Sequence, residues 1–332
     1  MSTKRWIAVL AAAGLFLVSS AFTMFTALFS TGIDEFFDVS DQPFEERVVE
    51  SGDGTGKIAV IHLNGVIENS YNPPGIFQAA GYHHENFLRQ LDAAAEDGQV
   101  HGIIIRVNTP GGGVVESSEI HDKIVDIQEE FRKPVYVSMG SMAASGGYYI
   151  AAPAEKVFAN SQTITGSIGV IMQSINVSEL AEDLGISSEV IKSGPYKDIM
   201  SATREMTDDE REILQDLIDE SYEQFVDVIE AGRDFSREEV YELADGRIYS
   251  GSQAYEAGLI DGLGHFHEVI DTMQEDLGRG NLTVVEYEPA FGLPGIFSFA
   301  AQRVFTNELD LLGITDWVHS NQGAKLMYLY TD

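Results

Sequence analysis

The stretch Val100-His101-Gly102-Ile103-Ile104-Ile105-Arg106-Val107 runs directly into Asn108-Thr109-Pro110-Gly111-Gly112-Gly113. Its apolar centre is unbroken rather than alternating. A strand of this kind is covered on both faces, which is the habit of parallel sheets flanked by helices. Working outward, Lys57 to Leu63 (KIAVIHL) reads as a second strand and Pro134 to Met139 as a third. Helical spacing lies between them, through Phe87, Leu88 and Leu91 in His83 to Asp97, and through Ile120, Ile124 and Ile127 in Val115 to Phe131. Ser145 to Ala152 reads as a short buried helix and Ile186 to Lys192 as a later strand. This βαβα order predicts an α/β domain with a mostly parallel sheet. The C-terminal third is more helical. Thr207-Asp208-Asp209-Glu210 and Ser236-Arg237-Glu238-Glu239 are capping boxes, and the first opens a long helix with Leu214, Leu217, Ile218, Phe225, Val226 and Ile229 on its apolar face.

The 332 residues include 20 Lys+Arg against 53 Asp+Glu, a formal net charge of −33, with 44% hydrophobic residues and no cysteine. So apolar a chain is not an acidic disordered one, and so negative a surface repels phosphate backbones and excludes nucleic acid as a partner. Without cysteine there is no disulfide and no thiolate, so a nucleophile would have to be an oxygen. The acidic residues spread from Asp34 to Asp332 without a dominant block, which reads as a surface adapted to a salty or alkaline exterior. Trp6 to Ile33 carries no charge and follows Lys4 and Arg5. The expected organisation is a cytoplasmic N-terminus (1–5), a transmembrane signal anchor (6–29), a linker (34–56), a single folded domain (57–280) and a C-terminal extension and tail (281–332), with the domain outside the cell membrane by the positive-inside rule. A cleaved signal peptide ending at Ser19-Ser20-Ala21 is the rival; the uncharged run continues well past that site and favours the anchor.

In α/β sheets, ligands sit beyond the carboxyl ends of the strands. The three glycines after Val107 lack the Gly-Lys-Ser/Thr ending of a phosphate loop, which leaves an oxyanion hole or a tight turn, with nothing in the residues to separate the two. After the next strand, Ser145 stands among small residues in Gly140-Ser141-Met142-Ala143-Ala144-Ser145-Gly146-Gly147, with room for an acyl group beside its hydroxyl. The plainer alternative is a helix N-cap. A serine nucleophile needs a base. There is no histidine between Asp122 and Gly264, and His62, His83, His84, His101, His121, His265, His267 and His319 read as surface or packing residues. The other candidate is a lysine kept neutral by burial. Of Lys123, Lys133, Lys156, Lys192 and Lys197, the last has the most singular setting, Ser193-Gly194-Pro195-Tyr196-Lys197-Asp198, although a solvated loop lysine remains the plain alternative.

Taken together, NTPGGGVVES, MAASGGYYIA, TGSIGV, SGPYKDIMSATREMT and GRIYSGSQAYEAGLID, in this order behind an N-terminal anchor, resemble the short bacterial signal peptide peptidases of the Clp-protease/crotonase superfold. The resemblance covers roughly Lys57 to Gly280 and the anchor. It implies a Clp-protease/crotonase-like parallel-sheet core with a helical C-terminal part, and a Ser/Lys dyad of Ser145 as nucleophile and Lys197 as base. It also implies an oxyanion hole from the amides of Gly112, with help from Gly111, and of Gly146. Ser167 would be a partner for the lysine amine, and a homo-oligomeric ring would bring Ser and Lys together from neighbouring subunits. No metal or cofactor is implied. The expected substrates are cleaved signal peptides and other short apolar or misfolded chains, bound by strand addition beside the glycine loop. The segment Leu326-Met327-Tyr328-Leu329-Tyr330 is apolar, which suits it equally to occupying the same groove as a self-inhibitory or self-processed segment and to packing against the domain. The competing functions are a crotonase-like acyl-CoA enzyme, which leaves the span unexplained, and a non-catalytic membrane scaffold, which would be expected to have lost a dyad residue.

Overall fold

A computed structural model describes residues 5, 14–16, 19–20, 44–53, 56–69, 82–289 and 326–330. The chain divides into two compact units, Met1–Pro43 and Phe44–Asp332. In the first, the described residues are helical. The expected span at 6–29 lies almost wholly outside the described residues, among which no helix is long and apolar enough to cross a membrane.

The second unit is mixed α/β with a mostly parallel sheet, as expected. Its strands are β1 (Phe44–Glu50), β2 (Lys57–Asn64), β3 (Val100–Thr109), β4 (Gly111–Gly113), β5 (Val135–Ala144), β6 (Lys156–Ala159), β7 (Ile164–Gly166), β8 (Ile248–Ser250), β9 (Gly262–Leu263), β10 (Thr283–Pro289) and β11 (Met327–Leu329). The helices are α1 (His84–Glu96), α2 (Val114–Glu129), α3 (Gly146–Ala151), α4 (Ser178–Asp183), α5 (Asp208–Gly232), α6 (Arg237–Leu243), α7 (Gly251–Glu256) and α8 (Phe266–Leu277). The large sheet runs β1-β10-β2-β3-β5-β6-β9, with β7 branching from β5 and β8 pairing β7; β4 and β11 form a small separate sheet. From β10 to β9 every neighbour on the main path is parallel.

The unbroken apolar strands are explained by helices on both faces. Ile103, Ile105 and Val107 of β3 join Phe87, Leu91, Ile120 and Ile124 in one core, while Ile104 packs with Ile58, Val60, Val269, Ile270 and Met273 in the other. Burying one such side chain stabilises the fold by about 1.5–3 kcal/mol, so neither face can be stripped cheaply.

Four expectations change. The segment 34–56 contains β1, and the extension beyond residue 280 contains β10, which lies between β1 and β2. β1 carries no strand signature in its sequence because it is an edge strand, FEERVVE, with only Phe44 buried, and charged residues on a sheet edge hide its periodicity. It is held by Phe44 stacked on Tyr287 at 4.4 Å and by Arg47 paired with Glu286 and Glu288. Ile186–Lys192 forms no ladder and stays exposed, with nothing among the described residues covering it. The third strand continues five residues past Met139, to Ala144, by changing partners from β6 to β7.

Candidate active site

The loop between β3 and α2 is shaped by its own hydrogen bonds. The Gly111 amide donates to Thr109 Oγ1 at 3.0 Å and the Gly113 amide to the Ile67 carbonyl at 2.7 Å. Gly111 has φ +105, a conformation that favours glycine. A Cβ on Gly112 would lie 1.9 Å from the Ile67 carbonyl oxygen, so no side chain fits there. Of the three glycine amides, only that of Gly112 remains to face outward from this side of the loop.

What it faces is the apolar segment Leu326 to Tyr330. β11 pairs antiparallel with β4, Met327 opposite Gly113, Tyr328 opposite Gly112 and Leu329 opposite Gly111, and the Tyr330 amide donates to the Pro110 carbonyl at 2.9 Å. On its other edge Met327 exchanges hydrogen bonds with Ile171. Tyr328 is wholly buried, stacked on Tyr149 at 4.8 Å and tilted against Phe225 at 4.8 Å, with its hydroxyl donating to the Ser221 carbonyl at 2.8 Å. That burial pushes the Tyr328 phenol pKa well up.

Ser145 sits where β5 turns into α3. Its backbone is in a strained conformation, φ 52 and ψ −114, held by its amide donating to the Gly166 carbonyl at 2.7 Å and by its carbonyl accepting from Tyr148 and Tyr149. The residue is buried, yet its Oγ has no hydrogen-bond partner among the described residues, and it makes no cap to α3. The plain N-cap alternative is therefore not realised. Gly146 opens the helix, so its amide has no partner one turn back. A Cβ on Gly111 would lie 2.0 Å from the Tyr328 carbonyl oxygen and 2.7 Å from the Gly146 amide nitrogen. The backbone of an extended strand, the free helix-terminal amide and the serine thus converge at one place. Ser167, at φ 51, follows Gly166 directly, and its amide donates to the Arg247 carbonyl at 2.8 Å.

Lys197 is not part of this cluster within one chain. It is exposed, and because Ser145 Oγ has no partner, its amine is not within hydrogen-bond reach of the serine. Its loop is nevertheless built firmly. Arg204 donates from Nε to Asp198 Oδ2 at 2.9 Å, from Nη2 to Asp198 Oδ1 at 2.7 Å and from Nη1 to Glu210 Oε2 at 2.8 Å, and Lys192 reaches Asp198 at 2.5 Å. Glu210 is the buried third residue of α5 and completes the expected capping box with Thr207. The hydrogen bonds from Arg204 hold the Glu210 carboxyl down at about 2 and Asp198 well below the carboxylate range. Among the described residues no histidine bonds the Ser145 hydroxyl. His84 is buried between the Tyr82 hydroxyl and Glu119, each at 2.6 Å. That pairing was not legible from sequence spacing.

Residues 128–279 match the model of Peptidase family S49. The chain is 39% identical over 298 residues, 87% of its length and 85% of the relative's, to the "Putative signal peptide peptidase SppA" of Enterococcus faecium. The chain belongs to peptidase family S49. As an S49 peptidase of signal peptide peptidase type, it is a serine protease. It is also 32% identical to Protease 4 of Haemophilus influenzae over 79% of this chain, which spans 42% of that protein. Among solved structures it is similar to a ClpP1 mutant of Listeria monocytogenes, with a TM-score of 0.41 and 20% identity over 63% of this chain and 92% of that one. The S49 match begins inside α2, downstream of the glycine loop, so that loop is assigned to the site by its geometry beside Ser145 alone.

Proposed function

We propose that this S49 peptidase is a membrane-anchored serine endopeptidase with a Clp-protease/crotonase-like core, acting outside the membrane on cleaved signal peptides and other extended apolar chains. In it, Ser145 attacks the peptide carbonyl and Lys197 of a neighbouring copy takes the serine proton. The observation that carries this is β11 lying as an antiparallel strand on the glycine loop, its Tyr328 carbonyl beside the Gly146 amide: a peptide strand fits where Ser145 can reach it. The oxyanion donors are the amides of Gly112 and Gly146, preorganised by the loop and by the start of α3. The Gly111 amide is spent on Thr109 and drops out of that role. Ser167, beside Gly166, holds the incoming lysine amine.

Assembly is part of the proposal because the exposed surface supports it. Ile171, Ile175, Leu180, Leu184, Ile186 and Ile191 are exposed, α4 buries nothing, and on the first half of α5 Leu217 is exposed while Leu214 and Ile218 are only half covered. Apolar surface of this extent marks an interface. A second copy seated there carries an exposed Lys197 into the neighbour's site and buries it. Burial favours the neutral amine that a general base requires. Acyl transfer then follows: the serine oxygen bonds the carbonyl carbon and the C–N bond breaks as the lysine passes the proton to the leaving amine; the same lysine then takes a proton from a water that attacks the ester, the bond to the serine oxygen breaks, and that proton returns to Oγ as the acid leaves.

The test uses the full chain in detergent or vesicles with an apolar peptide ester. Hydrolysis abolished by Ser145→Ala supports a serine peptidase; a wild type that turns over no peptide at any pH supports the scaffold instead. Fractionation with membranes that is lost when residues 6–29 are removed tests the anchor.

A further inference from the structure

We infer that Ser117 is a further catalytic residue, a hydroxyl donor to the oxyanion pocket beside the amides of Gly112 and Gly146; this rests on Ser145 being the nucleophile. Two buried side-chain hydroxyls lack any partner among the described residues, and they are Ser145 Oγ and Ser117 Oγ. Both border Gly146. Ser145 precedes it, and Ser117 Oγ lies 2.7 Å from the place a Gly146 Cβ would take, a place bounded also by the Gly112 nitrogen at 3.1 Å and Gly111 Cα at 3.2 Å. No side chain fits at that place, so the bare Gly146 backbone packs directly against the Ser117 hydroxyl and the Gly112 nitrogen.

A buried hydroxyl is ordinarily satisfied, and an orphan in a folded chain calls for an explanation. Ser117 is the fourth residue of α2 and wholly buried. A serine at such a position can satisfy itself by donating to the carbonyl one turn back, here Gly113, and Ser117 does not. A free hydroxyl proton held beside the loop amides is suited to negative charge that exists only during the reaction. In the resting chain it is unsatisfied; on the tetrahedral intermediate it donates to the new oxygen anion, with no proton transferred and no bond formed by Ser117 itself. Donors aimed at developing charge act on the transition state rather than on ground-state binding, so the effect belongs in kcat.

The experiment compares full-length wild type and Ser117→Ala in peptide hydrolysis, in binding of a peptide boronic acid that forms a tetrahedral adduct on Ser145, and in thermal unfolding. The expected result is a kcat lower by about 10-fold or more with KM within twofold, an equal loss of boronate affinity, and a Tm unchanged or raised because an unsatisfied buried hydroxyl is gone. A kcat within threefold of wild type overturns the inference, and so does a loss of kcat with boronate affinity intact. The near-isosteric pair Ser117→Thr and Ser117→Val guards against misfolding: Thr should outperform Val by the same factor, and equal activities overturn the assignment. Ser145→Ala run alongside separates the two ideas, since activity surviving in that variant sinks the nucleophile reading, whatever Ser117 does.

Discussion

At the residue scale, Ser145 is held by its neighbours rather than by its own preferences. A positive φ at a non-glycine residue costs on the order of 1–3 kcal/mol, and here the cost is offset by the backbone bonds to Gly166, Tyr148 and Tyr149. The small residues around Ser145 were legible in the sequence, whereas its strain and its unpartnered hydroxyl were not, since the bond that holds the strained backbone comes from Gly166 in β7, 21 residues further along the chain. Lys197→Arg is expected to be as inactive as Lys197→Ala, because a guanidinium stays charged and cannot take a proton. Peptide turnover in the Arg variant would falsify the dyad. The pH profile should carry its optimum on the alkaline side of neutrality. A lysine base works only as the neutral amine, whose share grows as pH rises. A bell centred near about pH 6 in kcat/KM would speak for a different base.

At the scale of elements, β11 and the Arg204 clamp each make a measurable claim. The segment bearing Tyr328 occupies the strand position proposed for substrate, so deleting residues 326–332 should raise the initial rate on short peptides, and an unchanged rate would show that the segment and the substrate do not compete. Tyr328 also fills a pocket of Tyr149 and Phe225, and the deletion should cost stability in proportion to one large buried aromatic, about 3–5 kcal/mol by the usual large-to-small scale. For the clamp the sign is set by Glu210. Its folded pKa is about 2, below the ordinary carboxylate value, so its contribution is complete above the unfolded pKa near ~4.3 and is lost as pH falls through about 2. Glu210→Gln should flatten the acid limb of a stability-versus-pH curve in that window, as followed by chemical unfolding. The capping box that positions Glu210 was readable from Thr207 and its third neighbour. Its pairing with Arg204 was not, because both the arginine and Asp198 lie outside the helix.

At the scale of the molecule, one chain holds a buried serine at one site and an exposed lysine elsewhere, with apolar side chains uncovered around that lysine's segment. If neighbouring copies share each site, an equal mixture of Ser145→Ala and Lys197→Ala chains, each inactive alone, should recover about a quarter of wild-type activity on reassembly, since half the sites have an intact serine and half of those an intact lysine. No recovery on mixing would assign both residues to one chain. The sequence by itself determined the α/β class, the strand buried on both faces, the glycine loop, the serine and the capped helices, because each is written in local periodicity or in a short run of residue types. Only the tertiary structure decided that a charged edge strand, β1, and a late strand, β10, complete the sheet. It alone decided that the Gly111 amide turns to Thr109 while Gly112 pairs with β11, and that a distant tyrosine covers the loop. Those outcomes depend on which backbone groups find partners far away in the chain, and hydrogen-bond partners across a sheet leave no periodic trace in the residues that receive them.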